Sequence, residues 1–93
     1  MRKFVYPAVV FHDKFTNSYV MTIDELYIAG EGDTVEDAHA DVKNSLNRYI
    51  DGTIRYNLDF IEPAKFEEVR AKYPDKLVML VECNIDDKGK ILD

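Results

Sequence analysis

Between Thr34 and Gly52 the apolar side chains Val35, Ala38, Val42, Leu46, Tyr49 and Ile50 recur at helical spacing, and this one stripe constrains the fold more than any other feature. Thr34 suits the N-cap and Asp37 stands three residues on in a capping-box position. Glu36 and Asp37 favour the first turn electrostatically, and Gly52 suits a left-handed C-terminal cap. A helix with one apolar face needs a surface to cover it, and the segments around it read as strands.

Residues 3–12 are apolar on both pleat faces, with Phe4, Tyr6, Ala8 and Val10 on one and Val5, Val9 and Phe11 on the other. A strand buried on both sides is expected, except that Pro7 lacks a ladder donor and requires part of the strand to have no neighbour on one side. Residues 13–17 read as a turn, and residues 18–23 alternate as a second strand that forms a hairpin with the first. After Asp24 and Glu25, residues 26–31 make a third strand, ended by Gly30 and Gly32 through the unusual backbone angles that glycine permits.

Residues 53–62 show no clean period, but Ile54, Tyr56, Leu58, Phe60 and Ile61 imply an ordered connection packed on the domain. Pro63 suits the start of a short helix over residues 64–72, closed by Pro74. Residues 77–85 are a final strand, apolar on both faces and so expected at the centre of the sheet, and residues 86–93 read as a turn and a mobile end. The fold class is therefore α+β: a three-stranded antiparallel meander, a long helix, a short second helix and a final sheet strand, with one domain over residues 1–86 and a tail over 87–93.

A chain of 93 residues with 46% hydrophobic content, five Phe and six Tyr can fold without metals or disulfides. The single cysteine, Cys83, forms no internal disulfide, and the N-terminus lacks a basic stretch followed by an apolar one, so a cytoplasmic protein is expected. The longest apolar run, residues 77–81, is far short of the ~20 residues that cross a bilayer. A net charge of −6 repels phosphate backbones and favours a partner with a basic face.

Catalytic and metal signals are weak. His12, His39 and Cys83 show no metal-binding spacing, and neither Ser18 nor Ser45 lies in a strand-to-helix elbow. Residues 30–33, Gly-Glu-Gly-Asp, precede a helix but lack a third glycine and place carboxylates where phosphates would sit. The carboxylates Asp13, Glu36, Asp37, Asp86 and Asp87 lie at element ends and keep a metal-dependent nuclease open as an alternative. No cofactor is expected.

Tyr6-Pro7-Ala8, Tyr19-Val20, and residues 32–38, Gly-Asp-Thr-Val-Glu-Asp-Ala, taken in order, resemble the HicB-type antitoxin family, in which a YPA strand, a Y/W-V strand and a GDTxEEA helix start follow one another at similar spacing. Where that family commonly has PDLPG, this chain has Ile23, Asp24, Glu25, Leu26 and Tyr27, without the Pro or the Gly. The resemblance implies a β-β-β-α-β core similar to a partial RNase H fold. It also implies a small basic partner, the HicA toxin, a ribonuclease whose active site the antitoxin blocks. Asp24, Glu25, Glu31 and Asp33 are the carboxylates expected to engage that partner. The helix-turn-helix or ribbon-helix-helix module of many members has no counterpart here, so direct DNA binding is not expected. A standalone domain that self-associates through the edge near Pro7 or through exposed tyrosines is a further alternative.

Overall fold

The computed structural model describes residues 1–92. Its five strands, all antiparallel, are ordered β3-β2-β1-β4-β5, with β1 at Arg2–Asp13, β2 at Ser18–Ile23, β3 at Ile28–Gly32, β4 at Leu77–Ile85 and β5 at Ile91–Leu92. Helix α1 spans Val35–Arg55 and α2 spans Phe66–Lys72. The expected α+β fold class holds.

Proline at position 7 is accommodated by register. Pro7 stands opposite Leu80 in β4, whereas the pairing of β1 with β2 begins at Val9. The Leu80 carbonyl turns away from β1 to accept a hydrogen bond from His39 Nε2 at 3.0 Å. Pro7 and Leu80 thus form a non-hydrogen-bonded pair, and the proline nitrogen faces the side where β2 has already ended.

Helix α1 lies in the concave face of the sheet. Ala38, Val42, Leu46 and Ile50 are fully buried against Tyr6, Met21, Ile23, Val81 and Cys83. Thr34 caps its first turn by accepting from the Asp37 N–H at 3.0 Å. The expected cap at Gly52 is corrected: the helix runs one turn further, because Thr53 is buried and bonds the Tyr49 carbonyl at 2.8 Å. Asn57 supplies the left-handed residue at φ 54°, with bonds from Leu58 N to Thr53 O and from Asn57 N to Ile54 O that make a Schellman cap. Asparagine tolerates that conformation nearly as well as glycine does.

Gly30 and Gly32 also act differently from expectation. Neither has a positive φ; each leaves room for α1. A Cβ on Gly30 would stand 2.2 Å from Val42 N, and one on Gly32 would stand 2.4 Å from the Asp37 Cβ. The helix backbone rests directly on β3.

Two further corrections concern the other edge. β4 is not central: β1 flanks it on one side, and on the other only β5 pairs with it, at Asn84 and Ile85. Leu77 and Leu80 accordingly stay about half exposed. The expected mobile tail contains β5, whose two residues carry too little pattern to be read as a strand; its last residue, Asp93, lies outside the described residues.

The close approach at Gly30 predicts that Gly30→Ala destabilises the fold by about 3 kcal/mol or more, since backbone must move. Gly52 is helical with open space around it, so Gly52→Ala should stabilise by roughly 0.5–1 kcal/mol. Urea denaturation of the two variants checks both signs.

Candidate partner-binding surface

The turn between β2 and β3 shapes the candidate site. Lacking Pro and Gly, residues Asp24–Leu26 form a single 3₁₀ turn, closed by the Tyr27 N–H on the Asp24 carbonyl at 3.2 Å. Leu26 points into the core, which forces Tyr27 outward in the left-handed conformation, at φ 54° and ψ 39°. That conformation costs a tyrosine on the order of 1 kcal/mol. Tyr27 is 95% exposed, so burial returns nothing.

Asp24 fastens α2 to the convex face of the sheet. Its carboxylate accepts from Tyr73 Oη at 2.6 Å and from Thr22 Oγ1 at 3.1 Å, with Lys72 Nζ at 3.9 Å. The bond to Asp24 holds the Tyr73 hydroxyl proton and raises its pKa above the ordinary value. Tyr73 also meets the Phe11 ring edge-on at 5.9 Å.

Glu25 is half-buried and accepts from the Ala64 N–H at 2.7 Å, fixing the connection that leads into α2. The same connection is held by Tyr6, whose hydroxyl donates to the Ile61 carbonyl, and by Phe60, which packs on Phe4 at 4.6 Å. Arg2 lies over both rings. Burial, followed by Tyr49, Glu25 and Glu62, pushes the Tyr6 pKa up to about 12.

Because α2 covers only part of the convex face, an open groove of about 760 Å³ remains between it and β2–β3. Pro7, Val9, Ala29 and Val69 contribute apolar surface to it. Asp24, Glu25, Glu68 and Tyr27 also line it, and Lys72 is its one basic side chain.

The four expected partner-binding carboxylates therefore separate into two places. Asp24 and Glu25 line the groove, whereas Glu31 and Asp33 lie beyond it, exposed at the far end of β3 and the approach to α1. Glu68 and Tyr27 join the first pair, which sequence reasoning missed. The missing turn glycine was the available signal for Tyr27; Glu68 had none.

Other candidate residues are occupied by local structure. The space beside Gly32 that a phosphate cradle would need is filled by Asp37 and Ala38. Asp13 accepts from the Phe15 N–H, and Asp86 accepts from the Lys88 and Lys90 N–H groups, which holds its pKa below the usual value. Among the described residues no three His, Cys, Asp or Glu side chains converge as a metal site, and no helix is long and apolar enough to cross a membrane.

No protein-family model matches the chain, and no curated protein matches it. Solved structures do match, two of them from one antitoxin. The crystal structure of the antitoxin HicB from Burkholderia pseudomallei superposes with a TM-score of 0.73 at 22% identity, covering 97% of this chain and 67% of that one. The N-terminal domain of the same antitoxin superposes with a TM-score of 0.75 at 21% identity, covering 88% of this chain and 98% of that domain. The fold is that of the HicB N-terminal domain. Within it, the groove and the carboxylates at its lip are built from the β2–β3 turn and α2.

The raised Tyr6 pKa gives a prediction with a definite sign. The fold favours the protonated phenol, so its contribution is complete below the unfolded pKa near 10 and is lost as pH rises through about 12. Urea midpoints should be lower at about pH 11 than at about pH 8. Tyr6→Phe should shrink that difference while costing about 1 kcal/mol at the lower pH, where the Ile61 carbonyl loses its donor.

Proposed function

We propose that this protein is an antitoxin-like binding protein that engages and occludes a small basic ribonuclease toxin of the HicA type, and that it is not an enzyme. The observation that carries the reading is the superposition on an antitoxin over nearly the whole chain. The net charge of −6 supports it, because a toxin that binds RNA presents a basic face and opposite charges speed encounter. The ordered Tyr6-Pro7-Ala8, Tyr19-Val20 and Gly32-to-Ala38 motifs, which resemble that family, support it independently of the superposition.

In this reading Asp24, Glu25, Glu31 and Asp33 are contributors to the encounter. They act as carboxylates facing Lys and Arg, and no step of bond-making chemistry is required of them. The domain over residues 1–86 is the binding unit, acts in the cytoplasm and self-associates.

The test is a calorimetric titration of the purified chain against the product of the adjacent reading frame, if that product is small and basic, coupled to an RNA cleavage assay. A 1:1 complex that silences cleavage is the expected outcome, with affinity falling at least tenfold between about 50 and 300 mM salt. The absence of any complex, or a complex in which cleavage continues undiminished, would remove the reading.

A further inference from the structure

We propose that the groove between α2 and the β2–β3 face receives a cationic segment of the protein partner that carries apolar side chains between Lys or Arg residues, with Tyr27 as the aromatic contact. This rests on the antitoxin-like reading for the identity of the partner, and on the chemistry of the groove for the location.

The apolar side chains have a place to go. The groove, open on one side and about 760 Å³ in volume, has Ala29 exposed and Val69 half-buried along it, with Pro7 and Val9 buried in its floor. The charges have a place too: Asp24, Glu25 and Glu68 line it against one ammonium, Lys72, which already leans toward Asp24 at 3.9 Å. Apolar surface edged by excess carboxylate matches a segment of the opposite pattern.

Tyr27 is the independent observation. Its backbone occupies a conformation that glycine or asparagine adopts more readily, and its ring, 95% exposed, gains no packing in return. The fold bears a cost at this position and recovers none of it. A ring presented in this way beside carboxylates is suited to a guanidinium or ammonium, which it attracts through its face.

Charge also decides among occupants. At the groove a second copy would set the same carboxylates against these, so self-association belongs to another surface, and nucleic acid or an anionic membrane would meet the same repulsion. A basic protein segment is the class that the groove attracts.

The test uses the full chain, labelled with nitrogen-15, and three synthetic amphipathic helical peptides: one of Lys and Leu, one with every Lys replaced by Glu, and one with every Leu replaced by Ser. The Lys/Leu peptide should shift the amides of Thr22, Ala29, Val69 and Tyr73, and the other two should bind at least tenfold more weakly. Tyr27→Gly should weaken binding at least fivefold while leaving the thermal midpoint unchanged or higher, a combination that a purely structural role could not produce. Glu68→Lys should weaken it similarly, and Glu31→Lys should change it by less than twofold.

Shifts centred on Glu31 and Asp33, equal binding of the Glu or Ser peptide, or indifference to Tyr27→Gly would each overturn the proposal. So would groove shifts on simple dilution of the protein, which would place a second copy there. Because the peptides need no toxin, a groove that binds the Lys/Leu peptide while no toxin associates would remove the antitoxin reading alone. A toxin that binds Tyr27→Gly and Glu68→Lys as tightly as the parent chain would remove the groove proposal alone.

Discussion

The rest of this structure depends on one helix bonding to both outer margins of the sheet that holds it. On one flank of α1, Asp41 accepts from the Glu31 N–H at 2.9 Å and Ser45 donates to the Ala29 carbonyl at 3.3 Å, both on the outer side of β3. On the opposite flank, His39 donates to the Leu80 carbonyl and Lys43 to the Glu82 carbonyl, each at 3.0 Å, on the outer side of β4. β3 and β4 are separated in the sheet by β2 and β1, a span of roughly 14 Å if the sheet were flat. One helix, about 10 Å across, reaches both only because the sheet curls around it. The helix thereby fills the concave face and occupies backbone groups that would otherwise invite strand addition.

This arrangement explains several separate features. The glycines of β3 are needed because the curl brings that strand's backbone onto the helix. Pro7 is tolerated because its partner residue directs its carbonyl outward to His39. The convex face is left with only a seven-residue helix to cover it. α2 is too short to span five strands, and it is held at one end by Asp24 and Tyr73 and at the other by the Glu25 contact to Ala64. What α2 leaves uncovered is the groove, so the candidate binding surface is a consequence of how completely α1 satisfies the other face.

Local signals survived into the fold where the physics is local. The Thr34 cap, the buried stripe of α1 and the hairpin of β1 with β2 depend on neighbours within a few residues or on a simple period, and they were legible. Gly52 failed as a stop signal because Thr53, one residue later, had a buried place to fill and Asn57 could serve as the cap. β4 misled because apolar residues on both faces suggest a central strand, yet β5 pairs only with Asn84 and Ile85, and Leu77 and Leu80 sit half exposed. The candidate carboxylates were legible as acidic residues but not as a set. The length of β3 separates Asp24 and Glu25 from Glu31 and Asp33.

The sequence by itself determined β1 to β4, α1 and α2, their order, the apolar face of α1 and the acidic character of the surface, because period, capping chemistry and charge are carried by residues close together in the chain. Only the tertiary structure decided the curl of the sheet, the purpose of Gly30 and Gly32, and the joining of Tyr27 from the β2–β3 turn with Glu68 from α2 at one groove. These depend on packing between separate elements, whether 12 positions apart, as Gly30 and Val42 are, or 41, as His39 and Leu80 are. No local pattern encodes such a contact; packing around α1 creates it.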